Sequence, residues 1–295
     1  MKIIICGWLH NKNKTALKNY KNIEIIFINN IDNIEEKYDL NNIDCIYLPR
    51  DNYNININKL SKYNITFLFG PHFSVLPEEN KLKDIISKKS IYIQPSYWVY
   101  NIWKTFKYCN NINIKILPFG VDTERFKNDK SIEKKDNIFI YFKSRIPAEL
   151  KYLENFLKIK NINYKIFSYN EKYEEEEYLS FIKNAKYGIW LGTHESQGFA
   201  LEEALSCNIP LLVWNVRSLN QEYESTYADY FATSIPYWDN RCGEFFYNSE
   251  ELEEKHKLFI SKLDKYNPRE YILENLTYEK CEEKMIKIIN ENNLH

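Results

Sequence analysis

The chain is poor in the residues that mark several common classes of protein. Only seven of its 295 residues are glycine, and no G-x-G-x-x-G follows any apolar run, which excludes the dinucleotide fingerprint of a nicotinamide or flavin oxidoreductase. The six cysteines, Cys6, Cys45, Cys109, Cys207, Cys242 and Cys281, are scattered with no C-x-x-C and no cysteine–histidine cluster at metal-ligand spacing, so neither a disulfide scaffold nor a zinc module is expected. No apolar run approaches the length of a membrane span. The opening MKIIICGWLHNK is too short in apolar residues for a secretory leader and reads as a first strand. The expected compartment is therefore the reducing cytoplasm. Lys and Arg number 40 against 41 Asp and Glu, a formal net charge of −1, which gives no global attraction to nucleic acid. Asn, Lys, Ile and Tyr are abundant, a bias of AT-rich coding as in large DNA viruses and parasites; for a viral chain the compartment would be the host cytoplasm.

What the chain does have is a recurring alternation. Short apolar runs, KIIIC (2–6), IEIIFI (23–28), CIYLP (45–49), ITFLFG (65–70), IYIQP (91–95) and IKILPFG (114–120), are bounded by Gly, Pro or Asn. Such runs suit strands buried on both faces of a parallel sheet. The pattern restarts with NIFIYF (137–142), YKIFSY (164–169), YGIWLG (187–192) and IPLLVWN (209–215), separated by segments with apolar residues at helical intervals. The reading is α/β, with two successive doubly wound parallel-sheet domains facing a cleft. After residue 244 the chain turns helical.

The stretch HESQGFALEEALSCNIPLLVWN (194–215) concentrates the chemistry. YGIWLG should be a strand, THESQ the loop at its carboxyl end, and GFALEEALSC a helix beginning near Gly198. Ligands of open α/β sheets bind at that edge. The first-turn N–H groups around Gly198, Phe199 and Ala200 would face outward with partial positive charge, suited to a phosphate. Glu203 offers two acceptor oxygens matched to a ribose diol. Glu195 would reach whatever lies beyond the phosphates. Glu202, about 100° around the helix from Glu203, is expected to face solvent or a partner charge.

These residues resemble the E-x(7)-E motif of the retaining GT-B glycosyltransferases, especially glycosyltransferase family 4: Glu195-Ser196-Gln197-Gly198, then Glu203-Ala204-Leu205-Ser206-Cys207-Asn208-Ile209-Pro210. PFGVDTERF (118–126) is similar to the segment where that family's chain enters its C-terminal domain, and QPSYWVYNIW (94–103) resembles a stretch near the end of its N-terminal domain. The resemblance implies an acceptor-side domain over 1–118, a nucleotide-sugar-binding domain over 119–275 and a final helix over 276–295 that packs back on the first domain. It also implies a basic pair for the donor diphosphate after the first strand of the second domain. In YFKSRIPAELK, Arg145 and Lys151 reproduce the family's spacing, and Lys143 is a third candidate; the competing reading of all three is surface charge. Gly7, after the first strand, corresponds to a loop near the donor phosphates or to a plain turn. His72 would touch donor or acceptor, or be a structural histidine. His10 and His194 are set aside as incidental, and Asp239 and Arg241 as residues that hold a loop together.

The activity implied is transfer of a sugar from a UDP- or GDP-sugar to a hydroxyl of an unidentified glycan, lipid or protein acceptor, with retention of anomeric configuration. Basic groups and helix amides would stabilise the departing diphosphate. No D-x-D occurs, so no obligatory metal, and no cofactor besides the donor itself, is expected. The alternative is a non-catalytic nucleotide-sugar-binding module of the same fold, since a fold does not by itself establish function.

Overall fold

The computed structural model describes residues 1–49, 57–60, 62–71, 74–82, 89–128 and 137–293. The chain divides into two compact units, Met1–Gly120 together with Leu276–His295, and Val121–Asn275.

The first unit is built on six strands: β1 (Lys2–Cys6), β2 (Glu24–Ile28), β3 (Cys45–Leu48), β4 (Thr66–Phe69), β5 (Ser90–Gln94) and β6 (Ile114–Ile116). They form one parallel sheet in the order β2-β1-β3-β4-β5-β6. Helices α1 (Asn11–Lys18), α2 (Ile34–Lys37), α3 (Ile57–Leu60), α4 (Glu79–Leu82) and α5 (Tyr97–Thr105) lie between the strands in sequence. Ile3, Ile4, Ile5, Ile46, Tyr47, Leu68 and Ile93 are wholly buried, which is why these strands read as unbroken apolar runs. Edge strand β2 has no fully buried residue, and Glu24 and Phe27 are exposed.

The second unit carries α6 (Pro147–Ile159), α7 (Glu175–Ile182), α8 (Phe199–Ser206), α9 (Leu252–Ser261) and α10 (Pro268–Asn275) around strands β7 (Ile138–Lys143), β8 (Tyr164–Ser168), β9 (Tyr187–Gly192), β10 (Leu211–Trp214) and β11 (Gly243–Phe246). Their order is β11-β10-β9-β7-β8, again all parallel. Pro147 opens α6 at a position where its missing N–H costs nothing. Leu153 and Leu157, one turn apart on α6, pack with Ile138, Ile140, Ile189, Leu191, Leu212 and Phe259 in the core. The final helix α11 (Tyr278–Asn293) returns to the first unit. There the wholly buried Glu282 accepts hydrogen bonds from the Asn22 backbone N–H at 2.5 Å and from its side-chain amide at 3.1 Å.

β11 joins the sheet at Gly243, where φ is +139° and a Cβ would fall 1.9 Å from the Leu211 carbonyl oxygen. Only glycine lets the two backbones approach this closely.

In each sheet the strand order reverses once, between β1 and β3 in the first unit and between β7 and β9 in the second. The carboxyl ends of such a strand pair diverge into connections on opposite faces and leave a crevice there. Gly7, with φ +93°, ends β1 and donates its N–H to Ile28 O, so it sits at the first unit's reversal. A cluster of polar side chains, Lys143, His194 and Glu195, lies at the second.

Candidate functional site

Lys143 is the last residue of β7 and pairs in register with Gly192, the last of β9. The chain runs on from Gly192 through Thr193 and His194 to Glu195, and the Lys143 Nζ donates to Glu195 Oε1 at 2.8 Å. This ion pair therefore spans the β7–β9 reversal. Both side chains are largely shielded, 21% and 12% exposed. Burial alone would lower the pKa of Lys143, but the adjacent Glu195 carboxylate outweighs it and the pKa is raised. The ammonium also lies 4.9 Å from the centre of the exposed Tyr169 ring, close enough for a cation–π contact.

Gly198 caps α8 in a left-handed conformation, φ +90°, and a Cβ there would come 3.3 Å from Glu195 Cβ. The glycine turns the loop sharply while keeping Glu195 close to the helix start. Phe199 and Ala200 in the first turn are half-buried, whereas every residue from Leu201 to Cys207 is buried, Glu203 included at 4% exposure. The Tyr178 hydroxyl donates to Ala200 O at 2.8 Å, and Tyr173, near Glu203 and Glu195, has its hydroxyl pushed up to about 12, first by burial. Beneath the loop, Tyr141 and Trp190 stack at 3.9 Å.

The loop after β10 closes the far side. Asn215 Oδ1 accepts from the Val216 N–H, the Thr233 hydroxyl and the Ser234 N–H at 2.9, 3.1 and 2.7 Å. The Glu195 N–H donates to Thr233 O, and the Tyr223 N–H to Ser144 O. These bonds bring Glu222 to His194, 3.7 Å between Oε2 and Nδ1. Burial, with Lys143 next, pushes His194 down to about 4, so at neutral pH its imidazole is uncharged. Burial also raises the Glu222 carboxyl, opposed by Lys143 and reinforced by Glu195.

Three expectations change on this geometry. Arg145 is 1% exposed, and its guanidinium is committed within the protein: Nε and Nη2 donate to both Glu149 oxygens at 2.8 and 2.7 Å, and Nη1 to Gly192 O and Trp214 O at 3.2 and 3.0 Å. It ties the ends of β9 and β10 to α6, and Lys143 is the cation beside Glu195. Lys151 is exposed on α6. Glu202 does not face solvent: it is wholly buried, with Oε2 accepting from the Gln197 amide at 3.1 Å. Among histidines set aside, His194 belongs to the cluster and His10 caps α1 by accepting the Lys12 N–H. Asp239 and Arg241 do hold a loop, with three side-chain bonds between 2.8 and 3.3 Å. Gly7 belongs to the first unit, and His72 lies outside the described residues. Glu222 was missed: no motif surrounds it, and only the folding back of its loop brings it in.

Among the described residues, no helix is long and apolar enough to cross a membrane. No group of three or more His, Cys, Asp or Glu among them is arranged to hold a metal.

No protein-family model and no curated protein sequence matches the chain. Solved structures do. The chain is similar to the lipopolysaccharide outer core galactosyltransferase WaaB, with TM-score 0.55 and 12% identity over 99% of both chains. It is similar to TarM, with TM-score 0.56 and 14% identity over 83% of this chain, and spans only 54% of TarM's length. It is also similar to the N-terminal domain of the Candida albicans trehalose-6-phosphate phosphatase, with TM-score 0.58 and 12% identity over 99% of this chain and 96% of that one. These likenesses show the fold: two parallel-sheet α/β domains of the GT-B type.

Proposed function

We propose that the chain is a glycosyltransferase that takes a sugar from a nucleotide-diphosphate-sugar, UDP- or GDP-linked, held by the Val121–Asn275 unit, and passes it to an acceptor hydroxyl with retention of anomeric configuration. The observation that carries the reading is that Lys143, Glu195 and the first turn of α8 meet at one sheet's strand-order reversal, with Glu203 one turn further along that helix. Each has a natural partner on such a donor. The ammonium and the first-turn amides suit the diphosphate. Glu203 suits the ribose diol, and Glu195 the sugar. The galactosyltransferase activity named for WaaB is in keeping with this reading.

In the reaction the bond between the anomeric carbon and the donor phosphate oxygen breaks as the acceptor oxygen bonds to the same carbon. The leaving diphosphate carries away the electron pair, and one of its phosphate oxygens takes the acceptor proton. Lys143 and the α8 amides stabilise the charge that grows on the leaving group. Two carboxylates with separate partners on the donor are not a glycosidase pair, which would flank a single bond. The proposal assigns the diphosphate's charge to Lys143 and the α8 amides, without an obligatory metal.

A thermal-shift panel of nucleotides and nucleotide-sugars tests the reading, because a ligand at about 100 times its Kd adds about 2.7 kcal/mol to the folded state. One nucleoside diphosphate and its sugar conjugate should stabilise the protein. Slow hydrolysis of that conjugate then separates an enzyme from a non-catalytic module. If no activated sugar binds at millimolar concentration, the proposal fails.

A further inference from the structure

We propose that Lys143 and Glu195 hold each other's place: an incoming diphosphate takes the Lys143 ammonium, and the displaced Glu195 carboxylate turns to the sugar carried on that diphosphate. The inference rests on the nucleotide-sugar reading and adds to it an order of engagement and a means of telling donor from product.

The argument begins with which cation an anion can meet. The Arg145 guanidinium is enclosed and bonded to Glu149 and two carbonyls, and Lys151 is exposed on α6. Of the three cations in this stretch, Lys143 is the one that bonds Glu195 across the β7–β9 reversal, its Nζ 2.8 Å from Glu195 Oε1. A phosphate that reaches this ammonium arrives beside a shielded carboxylate, with Glu222 close by and a neutral His194 that offers no compensating charge. Like charges at close range in a shielded site repel strongly. The carboxylate has to swing away from the anion.

The surroundings restrict that motion to the side chain. The Glu195 N–H is bonded to Thr233 O, and its Cβ lies 3.3 Å from where a Cβ on left-handed Gly198 would stand. Rotation about the side-chain bonds can move the carboxylate while the loop stays fixed. A sugar attached to the diphosphate offers hydroxyl donors to the displaced carboxylate. A bare nucleoside diphosphate, the product of transfer, has hydroxyls only on the ribose, which the reading gives to Glu203, so Glu195 competes with it for Lys143. Glu195 thus penalises the product and favours the donor.

Isothermal titration of the full chain with pyrophosphate, the nucleoside diphosphate that binds, and its sugar conjugate tests the exchange. Glu195→Gln removes the competing charge while keeping the shape, so pyrophosphate and the nucleoside diphosphate should bind about tenfold more tightly. The sugar conjugate should gain nothing or lose affinity. Lys143→Met should weaken all three ligands. If Glu195→Gln does not fold, Glu195→Ala carries the same expectation. Unchanged or weaker pyrophosphate binding in the Glu195 variant, with nucleotides still bound, overturns the exchange and leaves the donor reading standing. Failure of the native protein to bind pyrophosphate or any nucleoside diphosphate overturns both.

Discussion

Arg145, two residues ahead of α6, and Glu149, in the first turn of that helix, share a two-bond fork, and the guanidinium is 1% exposed. The same guanidinium donates to the carbonyls that end β9 and β10, so its loss removes a donor from four acceptor atoms at once, of which Gly192 O keeps the Ser234 hydroxyl. Arg145→Met should therefore cost about 3 kcal/mol of stability, after allowance for the partial exposure of Glu149. Arg145→Lys should recover little, because an ammonium cannot reproduce the planar fork. Urea unfolding measures both. Pyrophosphate affinity of the folded Arg145 variants should fall far less than that of Lys143→Met; an equal fall would return Arg145 to the role of phosphate ligand.

Gly198→Ala forces a side chain into a left-handed backbone and against Glu195 Cβ, 3.3 Å away. The conformational cost is about 1–2 kcal/mol, a Tm lower by about 2–8 °C in a unit of this size. Because the group pushed aside is Glu195, affinity for the nucleotide-sugar should drop more than affinity for pyrophosphate. Scanning calorimetry and titration read the two effects separately.

The contrast between these residues shows what sequence reasoning could reach. Strands β1 and β9 coincide residue for residue with the runs KIIIC and YGIWLG, because strands buried on both faces leave a continuous apolar record. The short β11 is harder to read: GEFF has two apolar side chains, and its pairing depends on Gly243. The strand–loop–Gly198–helix arrangement was legible because it is local. The choice among Lys143, Arg145 and Lys151 was not, since spacing does not report direction: Ser144 between the first two stands at φ +47°, and Glu149 one turn further on captures the arginine. Helical periodicity separates Glu202 from Glu203, but α8 is buried on nearly every side, so the rotation does not carry Glu202 to water. The meeting of Glu222 with His194 is a long-range event with no local signal.

Glu203→Ala should weaken the nucleoside diphosphate about ten- to a hundredfold, the worth of a charged hydrogen bond to a buried partner, and leave pyrophosphate unaffected. With a 2′,3′-dideoxynucleoside diphosphate the native protein and the variant should bind alike, because the hydroxyls that the carboxylate addresses are missing. Titration of the four pairs decides the matter. An equal loss with ribose and dideoxyribose would remove Glu203 from the ribose.

Glu202 gives a prediction independent of any ligand. Its carboxyl is wholly buried, with one oxygen bonded to the Gln197 amide and the other, Oε1, without a hydrogen-bond partner. Burial raises its pKa well above 4.5, the Gln197 bond opposes the rise, and Glu203 and Glu195 add to it. The folded protein therefore keeps a proton that the unfolded chain gives up above about pH 4.5, so this group's contribution is complete below that pH and declines as pH rises toward the folded pKa. Glu202→Gln keeps the shape and the acceptor for Gln197 but has no proton to lose. Measured against the native protein by urea unfolding from about pH 5 to about pH 8, the variant should gain relative stability with rising pH, by up to about 1.4 kcal/mol per pH unit while the native carboxyl stays protonated. Because only this group differs, other titrations cancel in the comparison. Parallel stability curves would mean that the carboxyl is ionised in the folded protein, and that a cation or water reaches Oε1 to hold its charge.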